Sequence, residues 1–128
     1  MNKPIDTYKK VKTSQDVSQY RAVALLLDGA IERVKLARQA QIEGNSEVRG
    51  LAVGTTITIL GVLQASLDKQ LGGEIAENLD VLYAYMTRRL AGAAIEREAG
   101  SLEEVEALLA QLQEAWAGIE AEVEPSAS

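Results

Sequence analysis

The chain has 128 residues, 4% aromatics with no Phe and a single Trp, and neither His nor Cys. That length supports one domain with a core of Leu, Ile, Val and Ala, and the missing residue types exclude disulfides, thiol catalysis, Cys/His zinc sites and phosphotransfer through His. The net charge of −6 is unevenly spread: residues 1–40 carry eight Lys/Arg against four Asp/Glu, and no basic residue follows Arg97, so the acidic body disfavours a nucleic-acid backbone as partner.

Residues 1–16 hold Pro4, four lysines and no long apolar period, and read as an N-terminal arm. Its apolar residues Ile5, Tyr8 and Val11 are spaced by threes. The arm has no apolar signal core, and no hydrophobic run approaches the length of a membrane span, so a soluble cytoplasmic protein without membrane insertion is expected.

From Val17 the apolar period turns helical, through Tyr20, Val23, Ala24, Leu27, Ile31 and Val34. Gly44 and Asn45 are natural stop residues for this first helix. Asp28 and Gly29 interrupt its apolar run LLLDGAI. Two readings stand for Asp28: buried, it needs a partner such as Arg88 or Arg89, or it points to solvent. Gly29 would permit a close approach in the first case.

The segment 46–70 is ambiguous. GTTITILGV alternates locally and is β-branched, which favours a strand. Over a longer window Val48, Ala52, Thr55, Ile59, Val62, Leu63 and Leu67 fit a helical stripe. A lone strand without a partner strand is costly, so a second helix is expected, with Gly54 and Gly61 placed to admit a neighbouring helix.

Gly72 and Gly73 break the chain before a third helix. Glu74 and Glu77 fall in its first turn and Arg88 and Arg89 late, as the helix dipole favours. Ile75, Leu79, Leu82, Met86, Leu90 and Ala93 form an expected core seam. At about 100° per residue, Tyr83 lies on one flank with Leu79 and Leu90, and Tyr85 on the other with Asn78, Leu82 and Arg89. This apolar face is wider than one seam requires. One flank either completes a broad core or meets another protein, since Tyr supplies apolar area with a polar handle.

Ser101 and Glu104 match a capping box for a fourth helix, whose stripe is Leu102, Val105, Leu108, Leu109, Leu112, Trp116, Ile119 and Val123. Pro125 stops it, leaving residues 125–128 as a disordered tail. Four helices of similar length with short connections over residues 17–124 predict an all-α antiparallel four-helix bundle. No metal, cofactor or catalytic constellation is expected: the Glu pairs sit at helix starts, where they serve the dipole, and no phosphate loop is present.

LLLDGAI, ASLD at 65–68, GGEIAENLDVLYAYMTRRL and LLAQLQEAW together resemble the flagellar export chaperone FliS family, in order and spacing over roughly residues 5–120. The resemblance implies a four-helix bundle that binds the C-terminal segment of flagellin in the cytoplasm, prevents its premature polymerisation and delivers it to the flagellar type III export apparatus, including contact with export gate components. It places the arm near the binding groove, with Tyr8 and Val11 matching the family's start. On this reading Ile5, Tyr8, Val11, Asn78, Leu82, Tyr83, Tyr85, Met86 and Arg89 are candidate partner-binding residues. Asp28, Gly29, Gly72, Gly73, Arg88 and Trp116 are candidate structural ones. The alternative from another class is a small helical regulator of a transcription or secretion factor.

Overall fold

Backbone punctuation sets the architecture. The computed structural model describes residues 4–95 and 100–119, with side chains from residue 19 onward. Helix α1 spans Pro4–Glu43, α2 Ser46–Ala65, α3 Lys69–Gly92 and α4 Gly100–Gly118, with a 3-10 turn over Ala93–Ile95 after α3. No strand occurs among the described residues.

At the end of α1, Gly44 takes φ +74°, a left-handed conformation suited to Gly. The amide of Asn45 donates to the carbonyl of Ala40 at 2.8 Å and that of Gly44 to Gln41 at 3.2 Å. This paired pattern is a Schellman stop. The Asn45 side chain then accepts from the Val48 amide at 3.1 Å and starts α2. Asp68 caps α3 by accepting from the amides of Gln70 and Leu71, both at 3.1 Å. Gly73, at φ 52° and ψ −126°, splits a first turn from the long body of α3. A Cβ on Gly72 would sit 2.8 Å from the Ala76 Cβ. The two glycines are therefore needed for different reasons, one for backbone conformation and one for space.

Helix α1 packs against α2 and α4, and α3 packs against the same two helices. The ring order is thus the chain order. Two- and three-residue connections reverse the chain between α1, α2 and α3. Contacts between Tyr20 and Trp116, and between Arg38 and Glu106, run α1 and α4 antiparallel. The result is the expected antiparallel four-helix bundle. Its core joins Leu27, Val34, Leu60, Leu63, Met86, Leu90, Leu102, Val105 and Leu109.

Several local expectations shift. Helix α1 begins at Pro4 rather than Val17, so the residues read as an arm continue its helix, and at 40 residues it is far longer than α2, α3 or α4. In α2 the buried positions are Ala52, Thr56, Leu60 and Leu63; Ala52 and Leu63 were expected, whereas Thr55 and Val62 are exposed. Thr56 can be buried because its hydroxyl donates to the Ala52 carbonyl at 2.8 Å. In α3 the seam runs through Ala76, Tyr83, Met86 and Leu90, while Ile75 is 72% exposed. Helix α4 opens at Gly100, so Ser101 lies inside it rather than before it, and the stop at Pro125 lies outside the described residues. Contrary to expectation, α2 is long and apolar enough to cross a membrane by length and composition, and only 22% of its apolar window is buried.

Candidate functional site

The phase of α3 separates the two tyrosines. Spacings of three and four along Ala76, Leu79, Tyr83, Met86, Leu90 and Ala93 turn Tyr83 inward, where it is 5% exposed, and bury Met86 completely. Burial pushes the Tyr83 phenol above its ordinary range. Both were candidates for partner contact. In the free chain both are packed in the core.

Tyr85 lies on the other flank, half-buried. Its hydroxyl donates to Glu104 Oε1 at 2.7 Å, and Arg89 Nε donates to the same oxygen at 2.7 Å. The hydrogen bond from Tyr85, then that from Arg89, hold the Glu104 carboxyl below its usual range. The bond to Glu104 also raises the Tyr85 phenol. Glu104 therefore does not serve its own helix start as a capping box. It reaches across to α3, and Tyr85 and Arg89 tie α3 to α4. Leu82 is half-buried and packs on the core, and Asn78 and Arg88 are exposed. The side chains of Ile5, Tyr8 and Val11 lie outside the described residues.

Asp28 is exposed and accepts a hydrogen bond from Gln113 Nε2 of α4. Neither Arg88 nor Arg89 is its partner. A Cβ on Gly29 would meet Ile59 Cδ1 at 3.8 Å, an ordinary contact, so no close approach depends on this glycine. Trp116 stacks on Tyr20 with ring centroids 5.1 Å apart and planes 14° from parallel. Trp116 Nε1 donates to the Tyr20 carbonyl at 3.0 Å, and the Tyr20 hydroxyl donates to the Trp116 carbonyl at 2.9 Å. The Trp116 carbonyl lies in the last turn of α4, where it also accepts from the Ile119 amide at 3.2 Å, so Tyr20 adds a second donor there.

Sequence reasoning missed the surface of α2. Leu51 and Val62 are 69% and 50% exposed. Gly50, Gly54 and Gly61 stand with nothing within 4 Å of an added Cβ, so no neighbouring helix comes close there as expected. Thr55 and Thr58 turn their hydroxyls to the carbonyls of Leu51 and Gly54, at 3.0 and 3.1 Å, which spends their polarity inside the helix. No charged residue occurs from 50 to 67. This outer face can take up an apolar helix at short range, because small side chains set the distance between packed helices. The signal was present in the sequence: a near-uniformly apolar helix must either be wholly buried or expose an apolar face.

The described residues contain no group of His, Cys, Asp and Glu that could hold a metal ion. The sequence matches, over residues 1–123, the family described as Flagellar protein FliS. It is 38% identical over 120 residues to the flagellar secretion chaperone FliSB of Pseudomonas aeruginosa, covering 91% of this chain and 95% of the relative. It is 39% identical over 116 residues to the flagellar secretion chaperone FliS of Salmonella typhimurium, covering 88% and 86%. With the FliS of Vibrio cholerae the identity is 31% over 119 residues, covering 91% and 88%.

Proposed function

The chain belongs to the FliS family of flagellar secretion chaperones, a chaperone family and not an enzyme class, and on that premise we propose that it binds the C-terminal segment of flagellin in the cytoplasm and carries it to the flagellar export apparatus. The observation that carries this reading is the outer face of α2, apolar, uncharged and unpartnered over most of its length. An amphipathic tail cannot bury its own apolar face and stays disordered when free. Laid on α2 it buries that face, so folding and binding are one step. A segment held in this way is not available for packing between flagellin subunits, and delay of polymerisation follows from competition. The flank of α3 bearing Asn78 and Leu82 extends the candidate surface, and Tyr85 and Arg89 keep α4 in register beside it.

The test is a titration with a flagellin C-terminal peptide. Circular dichroism should show helix beyond the sum of the two components, and calorimetry a negative heat-capacity change, as burial in a coupled-folding interface requires. Leu51→Ser and Val62→Ser, at exposed positions, should leave the melting temperature nearly unchanged and weaken binding. Saturable binding that both variants leave intact would move the site off α2. Absence of binding to the wild-type chain would refute the cargo.

A further inference from the structure

Across the bundle from α2 and α3 lies a second surface. An open groove of about 570 Å³ runs between the N-terminal half of α1 and the end of α4, floored by Tyr20, Leu27 and Trp116. Leu25, on its edge, is 70% exposed. Among the described residues the walls carry Asp28 from α1 and Glu114 from α4, against the cation Arg21. Arg21 and Asp28 are seven residues apart on one helix, about 10.5 Å along its axis. The groove thus has an electrostatic direction: a guanidinium near the Tyr20 end and a carboxylate two turns on. Glu114 adds a second carboxylate and makes the balance negative.

We propose that this α1–α4 groove is a docking site for an amphipathic helical segment of a partner protein other than the cargo, one that sets a bulky apolar side chain beside Leu25 and over Trp116 and a Lys or Arg against Asp28 and Glu114. The proposal rests on the reading of α2 as the cargo face only in calling this surface a second one. Three features carry it. The volume accommodates large side chains rather than a backbone loop. The floor is aromatic and aliphatic. The carboxylates stand at the rim, where opposite charge selects a partner and its orientation more than it adds affinity. The Tyr20–Trp116 pair, hydrogen-bonded both ways, holds the floor in place, so the site is formed before anything binds.

The molecule supplies its own reporter, because Trp116 is the only tryptophan in the chain. The probes are three synthetic 16-residue helices with one Leu/Ala face, flanked by Lys, by Gln or by Glu, titrated at low salt while Trp116 emission is followed. The Lys helix should give a saturable change and bind about five- to tenfold more tightly than the Gln helix, the effect of two exposed ion pairs, with the Glu helix weakest. Asp28→Asn with Glu114→Gln should abolish that preference. Glu47→Gln with Glu74→Gln, which changes the net charge equally but away from the groove, should preserve it. Leu25→Ser should weaken the Lys and Gln helices alike, and thermal melts check that each variant is folded. No saturable Trp116 signal, or a preference lost equally in the remote charge variant, would overturn the proposal. Displacement of the Lys helix by the flagellin segment would also overturn it, by making the groove part of the cargo surface. Absence of flagellin binding elsewhere would not, since the probes do not depend on it.

Discussion

Tyr83 and Tyr85, two residues apart on α3, have separate tasks. Tyr83 is packed into the core, and Tyr83→Ala should lower stability by about 3–5 kcal/mol, as truncation of a buried aromatic does, measured by denaturant unfolding. A loss of binding without loss of stability would place that ring at an interface instead. Tyr85 acts through Glu104, and its contribution depends on pH in a defined direction. The Glu104 carboxyl is lower in the folded chain than its ordinary value, so the tie stabilises fully above about pH 4.3, the unfolded carboxyl value, and is lost as pH falls through the lower folded one. The Tyr85 phenol is higher when folded, so its part is complete below about pH 10 and is lost as pH rises through the folded value. The gap in melting temperature between wild type and Tyr85→Phe should therefore be flat from about pH 5 to 9.5 and close at both extremes. A gap that stays constant from about pH 3 to 11 would show that the bond to Glu104 is not its origin.

The helices differ in how far their faces could be read from the sequence. In α4, polar residues separate Leu102, Val105 and Leu109 clearly, and all three are buried as expected. In α3, Ile75 and Leu82 compete with Ala76 and Tyr83 for the seam, and hydrophobicity alone selects the larger aliphatics. Packing selects Tyr83 because its spacing to Ala76 and Met86 keeps one straight row along the bundle. In α2 nearly every position is apolar or small, so periodicity has little contrast to report: Ala52 and Leu63 lie inward as expected, while Thr55 and Val62 lie outward and Thr56 and Leu60 are buried in their stead. The same lack of contrast is what leaves an apolar face outside. Gly54 and Gly61 make this testable at the level of the helix. Neither meets a neighbour within 4 Å, so each replacement by Ala should stabilise the free chain by roughly 0.5–1 kcal/mol through helix propensity and the unfolded state. On the proposed cargo face the added methyls push a docked helix outward, so Gly54→Ala with Gly61→Ala should raise the melting temperature while weakening the flagellin peptide. A variant that gains stability and binds unchanged would make the glycines irrelevant to docking.

For the whole molecule, the four helices and their antiparallel bundle were legible in the sequence, because both rest on residue types and stop signals spread over the chain. Contacts between distant helices were not. Nothing local marks Gln113 as the partner of Asp28, or the carbonyl of Trp116 as that of Tyr20; those pairings follow from the level at which α1 and α4 lie side by side. That level also defines where the bundle ends. Tyr20 sits opposite Trp116 near the end of α4, and α2, at 20 residues, starts only two residues after α1 ends and runs back beside its C-terminal half. Residues 4–16 of α1 therefore lie beyond the level of Ala65 and Gly118, where the described helices α2 and α4 end, at about 1.5 Å per residue. Isolated helices of that length are marginal in water. Deletion of residues 1–16 should accordingly shift the melting temperature only slightly and remove helical signal at 222 nm in proportion to the residues lost. If Ile5, Tyr8 and Val11 contribute to partner binding, the same deletion should change the affinity for the flagellin peptide, since the apolar side chains removed either cover the binding surface or add to it. A large drop in melting temperature would instead make these residues part of the bundle, with Tyr20 and Trp116 at an internal layer rather than at its end.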